Sequence, residues 1–120
     1  MRVVIQKVLE ASVKIGGQVH ASIGPGLLIF AGWEASDLPE DNEWMAQKIS
    51  RMRLFEDHEG VMNRSIMECG GQFLVISQFT LHAATKKATA PAISEPPIHA
   101  FPSLCMKTFW TSCGMPQTCR

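Results

Sequence analysis

The side chains best placed for chemistry fall in SQFTL, residues 77–81, where the apolar run QFLVI ends. Ser77 and Thr80 offer hydroxyls and Gln78 an amide, and a strand stopping here frees backbone N–H groups. Such a set could be presented to a ligand. One Ser and one Thr at a strand end are also ordinary solvent-facing residues. His82 lies two positions beyond Thr80, a poor geometry for a general base on a fraying strand, and is expected to be a surface histidine. Arg51, Arg53, Arg64, Lys86 and Lys87 could line one side and hold phosphates, or be scattered solvated charges.

Other chemistries lack their local signatures. The sequence contains no H-x-x-x-H, C-x-x-C, G-x-S-x-G or P-loop pattern, which removes the usual pointers to metal hydrolysis, a serine-hydrolase elbow or nucleotide binding. Cys69, Cys105, Cys113 and Cys119 show no paired spacing, so neither a zinc site nor a disulfide framework is expected. Eleven basic and eleven acidic residues cancel, so a nucleic-acid partner would have to meet a local patch. The N-terminus MRVVIQKVLEASV has no long apolar signal region, and no apolar run approaches a membrane span, which reads as a cytoplasmic protein without membrane contact.

The elements that must position SQFTL follow from pattern. Val3, Val4, Ile5 and Val8 open a strand; Val13 and Ile15 alternate with polar residues up to Gly16-Gly17, a pair suited to the positive φ angles of a tight hairpin; Val19, Ala21 and Ile23 alternate on the return. LLIFAGW, residues 27–33, is apolar throughout, as a strand buried on both faces should be. Asp37 with Glu40 resembles a capping box, Pro39 suits a first turn, and Leu38, Met45, Ile49 and Met52 share a helical face, predicting a helix over about 38–52. RLFED, MNRS and QFLVISQFTL read as further strands separated by loops. The predicted class is α+β: an antiparallel, barrel-like sheet core with one packed helix in a single domain. MRVVIQKV and LLIFAGW offer more apolar strand than one helix can shield, which favours a two-fold partner.

In order and spacing, MRVVIQKV, ASVKIGGQV, IGPGLLIFAG, WMAQKISRMRLFED, GVMNRSI, GGQFLVISQFTL and ATKK resemble D-aminoacyl-tRNA deacylases, also called D-tyrosyl-tRNA deacylases, over about residues 1–87. SQFTL is one of that family's two signature motifs; Lys7 departs from the arginine expected there. The resemblance implies a homodimer that hydrolyses the ester joining a D-amino acid or glycine to the terminal adenosine of tRNA, a proofreading step for translation, with no metal or organic cofactor. It places Ser77, Gln78, Phe79 and Thr80 at the pocket for the aminoacyl-adenosine. Thr80 is then either a nucleophile or, with Phe79, a source of backbone N–H groups while the substrate's 2′-hydroxyl assists attack. The second is favoured, since no base is evident beside Thr80. A catalytically inactive remnant or a non-enzymatic tRNA-binding module is the alternative.

The chain changes character after Lys87. Residues 88–120 hold five of the seven prolines and three of the four cysteines, yet only Glu95, Lys107 and Arg120 of the 22 charged residues. The family's second motif, Asn-x-Gly-Pro-Val/Thr, implied to exclude L-amino acids from the partner subunit's pocket, is absent, because Met115 separates Gly114 from Pro116. Codons exist for Lys87 to Pro96 that, read one base earlier, spell GNRPSYIRA, which resembles the family's continuation. The expectation is a frameshift after Lys87, with residues 88–120 an out-of-frame tail that packs irregularly and leaves activity and D/L discrimination impaired.

Overall fold

The computed structural model describes residues 1–82. Alternation in the first eight residues produces β1, Arg2–Val8, whose Val3 and Ile5 turn inward while Arg2, Val4 and Gln6 point out. β2, Ala11–Ile15, and β3, Gln18–Ile23, form the predicted hairpin, and Gly16 and Gly17 take φ of 58° and 81° at its turn. β4, Gly26–Gly32, is the central strand, antiparallel to β1 from Arg2↔Gly32 to Val8↔Gly26. Its other edge pairs with β7, Gln72–Ser77, in parallel register from Gly26↔Gln72 to Ala31↔Ser77.

The sheet is therefore mixed, in order β1-β4-β7, and the expected α+β class holds with this one parallel pairing inside it. The intervening chain supplies the crossover that parallel strands need. It runs through α1, Pro39–Arg51, a short ribbon of β5, Phe55–Glu56, with β6, Met62–Arg64, and a single turn of helix α2, Ile66–Cys69. The ECGG turn is thus preceded by a helical turn, closed by reciprocal bonds between Ser65 and Glu68.

The core lies between one sheet face and α1. Leu27, Ile29, Ala31, Phe73 and Val75 from the sheet meet Ala46 and Ile49 from the helix, with Trp33 and Ile66 closing the ends. Asn42, Ala46 and Ile49 are the helix's buried residues, whereas Leu38 is exposed; the expected stripe starting at Leu38 is rotated. The cap differs as well. Asp41 accepts the Leu38 N–H at 2.8 Å, while Asp37 accepts the Glu34 N–H and pairs with the Met1 amino group. The leucine at the cap has no acceptor of its own, so only half of a capping box forms.

The opposite sheet face is also apolar. Val4 faces Phe30, Phe30 faces Ile76, and Leu28 faces Leu74. Leu74 is fully buried, but Val4 remains 49% exposed and Leu28, Phe30 and Ile76 are half-buried. No helix among the described residues is long and apolar enough to cross a membrane.

Candidate functional site

β7 ends at Ser77, and the expected strand through residue 81 instead turns into a 3-10 helix over Phe79–His82. The turn is set by two backbone bonds. Gln78 N–H still donates to Ala31 O at 2.8 Å, continuing the ladder by one residue, and Leu81 N–H then donates to Gln78 O at 3.4 Å. The amides of Phe79 and Thr80 fall between these two bonds and have no acceptor among the described residues. Ser77 and Thr80 are exposed, Gln78 is half-buried, and Gln78 Nε2 donates to Thr80 Oγ1. Gln78 engages one lone pair of the Thr80 hydroxyl, which can still donate its own proton to a ligand acceptor.

Residues that sequence reasoning passed over brace this end. The Arg2 guanidinium donates to Leu81 O at 3.0 Å. His82 is not a surface histidine: its side chain is 7% exposed, and Nδ1 lies 2.7 Å from Glu34 Oε1. Burial comes from Gly32, whose missing side chain lets the imidazole settle on the backbone; a Cβ there would sit 2.8 Å from Gln78 O and 2.9 Å from His82 Nε2. The ring N–H direction does not meet hydrogen-bond alignment with Glu34, and Nε2 has no partner among the described residues. At 2.7 Å from Glu34 Oε1, Nδ1 is close enough that the two heteroatoms repel unless a proton lies between them.

Glu34 is held in turn. Its N–H donates to Asp37 Oδ2 at 2.6 Å, and Asp37 Oδ1 takes the Met1 amino group in a pair only 3% and 9% exposed. The preceding Trp33 donates its indole N–H to buried Asn42 Oδ1 at 2.6 Å, fixing the loop to α1. The sequence carried one signal for this arrangement: a glycine at the end of an otherwise bulky apolar strand marks close approach by another segment.

None of the three described candidate arginines, Arg51, Arg53 and Arg64, bonds to SQFTL among the described residues. Arg51 ends α1 and is exposed. Arg53 donates to Asn63 Oδ1 at 3.2 Å and Arg64 to Glu68 O at 2.9 Å, so both brace the β5–β6 ribbon. Hydrogen bonds from the Ser65 backbone and hydroxyl hold the Glu68 carboxyl below its ordinary range, with Arg64 and Arg53 adding to the effect. The ribbon touches β1 at Lys7, which lies 3.6 Å from Glu56 and over the Phe55 ring. Lys7 pairs with Leu27 and Ser77 with Ala31, so this contact and the site are about 13 Å apart along β4. Lys86 and Lys87 lie outside the described residues. Among those described, no three His, Cys, Asp or Glu side chains gather to hold a metal.

Comparison with known proteins follows the same outline. Residues 4–102 match the family described as D-Tyr-tRNA(Tyr) deacylase, so the match continues past Lys87. The D-aminoacyl-tRNA deacylase of Parabacteroides distasonis is 54% identical over 92 residues, covering 77% of this chain and 61% of the relative. That of Bacteroides thetaiotaomicron is 56% identical over the same shares. The chain thus spans about three-fifths of the length of these curated relatives. Among solved structures, a "c-Myc DNA Unwinding Element Binding Protein" superposes with a TM-score of 0.85 at 30% identity, over 94% of this chain and 76% of the other. A "probable eukaryotic D-amino acid tRNA deacylase" shares the fold at a TM-score of 0.73 and 13% identity, over 94% and 68%.

Proposed function

This chain belongs to the D-Tyr-tRNA(Tyr) deacylase family, and from that premise we propose that it hydrolyses the ester of D-aminoacyl-tRNA, and of glycine mischarged on tRNA, as a cytoplasmic proofreading hydrolase. The observation that supports this most is the pair of amides at Phe79 and Thr80 with no acceptor among the described residues, flanked by the Ser77 and Thr80 hydroxyls where β7 ends. In this reading the ester carbonyl oxygen approaches those amides. Water adds to the carbonyl carbon with help from the neighbouring 2′-hydroxyl, and the amides take the negative charge that forms on oxygen. Collapse breaks the bond to the 3′-oxygen, which leaves as the tRNA hydroxyl with the proton that water gave up. Thr80 acts through its amide and a donated hydrogen bond, consistent with a hydroxyl oxygen already engaged by Gln78.

Two further parts belong to the same reading. The half-exposed face of Val4, Leu28, Phe30 and Ile76 supports a homodimer, because an apolar sheet face of this kind calls for a cover. Arg51, Arg53, Arg64, Lys86 and Lys87 would contact tRNA phosphates. Residues 88–120 are proposed to be out of frame, supported by their composition and by the absence of the family's second motif, Asn-x-Gly-Pro-Val/Thr, from the sequence. The second reading is a chain that holds aminoacyl-tRNA without hydrolysing it, since the pocket half survives while the specificity half does not.

Release of tyrosine from D-Tyr-tRNA and L-Tyr-tRNA separates the two. We expect weak, poorly selective hydrolysis by the 120-residue chain, and brisk D-specific hydrolysis once one base is added within the Lys86–Lys87 codons. Tight tRNA binding with no release by either protein would favour the binding module.

A further inference from the structure

The buried imidazole of His82 has no part in the reaction as read above, yet it sits at the end of the turn that carries the two free amides. That turn is short and follows the exposed Ser77, so its own i→i+3 hydrogen bonds, the 3.4 Å one from Leu81 to Gln78 among them, do little to fix it. What holds it comes from elsewhere. Arg2 grips Leu81 O from β1, and the Glu34 carboxylate faces His82 Nδ1 from the loop between β4 and α1. This loop is itself tied on three sides, through Trp33 to Asn42, through the Glu34 amide to Asp37, and through Asp37 to the Met1 amine. Gly32 supplies the space in which the ring lies flat enough to reach Glu34.

We infer that Glu34 and His82 form a clasp that positions the Phe79 and Thr80 amides: His82 carries its proton on Nδ1 toward Glu34, and the ring, pressed on Gly32, pins the 3-10 turn. Both are positioning residues. Neither touches the ester. The tautomer follows from the surroundings, since Nδ1 faces an acceptor while Nε2 faces the Gly32 backbone with no acceptor among the described residues, where a second buried N–H would go unpaired. The consequence for catalysis rests on the deacylation reading; the clasp does not.

Glu34→Ala isolates the clasp, because Glu34 is about half exposed and its removal leaves the imidazole in place against Gly32. Glu34→Gln keeps a neutral acceptor oxygen and serves as the rescue. In the full chain, long-range proton–nitrogen correlation spectra should show Nδ1 protonated in the wild type and Glu34→Gln, and a mixture of tautomers in Glu34→Ala. Backbone order parameters at Phe79 and Thr80 should fall from about 0.85 to below about 0.6 in Glu34→Ala alone, with Ile29 and Val75 unchanged. Deacylation of D-Tyr-tRNA should lose kcat by about tenfold at unchanged KM and recover in Glu34→Gln. Should the tautomer and order parameters ignore Glu34→Ala, the clasp is wrong whatever the activity. Should they respond while no variant nor the wild type releases D-tyrosine, the clasp stands and the deacylation reading falls.

Discussion

The two ends of the β1-β4-β7 sheet are held by different kinds of contact. At the end where β7 stops, the braces join residues far apart in the chain: Met1 with Asp37 across 36 positions, and Arg2 with Leu81 across 79. Along the β5–β6 ribbon and α2, the hydrogen bonds are local: Asp57 with Glu59 and Val61, Ser65 and Arg64 with Glu68, and Arg53 with Asn63 ten positions on, with the exposed contact of Lys7 to Glu56 and Phe55 reaching across the chain. The site end is therefore assembled only when the whole domain is folded, whereas the ribbon end is written into short stretches. Precision at the proposed ester site then depends on global packing, and the arginines of the ribbon depend on nearby residues.

Changes beneath both ends should abolish this contrast. Ile29→Ala removes a fully buried side chain from the central strand and should cost about 2–5 kcal/mol. Both ends should loosen together, seen as a common fall in amide protection across β1, β4 and β7. If the Phe79–His82 turn kept its order in that variant, the dependence on global packing would be refuted.

Gly32→Ala should act on one end only. The added Cβ meets Gln78 O and the His82 ring at 2.8–2.9 Å, and since one of these is backbone the turn must shift. A loss of about 1–3 kcal/mol in denaturant unfolding is expected, with chemical-shift changes at Gln78–His82 and none at Arg53–Arg64. Ser65→Ala is the mirror case. Losing the α2 cap should cost about 1 kcal/mol and disturb the ribbon while leaving Thr80 untouched.

This contrast also explains what was legible in the sequence. Alternation marked β1, the Gly16-Gly17 hairpin and the apolar central strand, and amphipathic spacing placed the helix within a residue of Pro39–Arg51. SQFTL stands out because its polar residues interrupt an apolar run. Even the α2 cap was written locally as Ser65-x-x-Glu68, a signal the strand reading of that region passed over. Nothing local distinguishes a surface histidine from His82, whose burial depends on Gly32, fifty residues earlier in the chain, nor assigns Asp37 to Met1 rather than to the helix it precedes. The parallel pairing of β7 with β4 was equally invisible, since periodicity records which face is buried and not which edge is joined.

The smallest expected effect is a dependence on acid confined to the ribbon. Backbone hydrogen bonds, first from Val61 and then from Glu59, hold Asp57 below its ordinary value of 3.8, and the Ser65 bonds hold Glu68 below 4.5. Both carboxylates take up protons less readily folded than unfolded. Their contribution is complete above those ordinary values and is lost as pH falls through the lower folded ones. A paired Asp57→Asn, Glu68→Gln variant should flatten the acid limb of stability against pH, with the order of the Phe79–His82 turn unchanged.

The central claim, that the end of β7 acts on an ester through backbone amides and not through a threonine nucleophile, is tested by single-turnover hydrolysis of D-Tyr-tRNA ending in adenosine or in 2′-deoxyadenosine, by the wild type and by Thr80→Ala. The account predicts that the 2′-deoxy ester is hydrolysed at least about a hundredfold more slowly, and that Thr80→Ala retains measurable activity on the ribose ester. Equal rates on the two esters, together with a tyrosyl group trapped on Thr80, would contradict it.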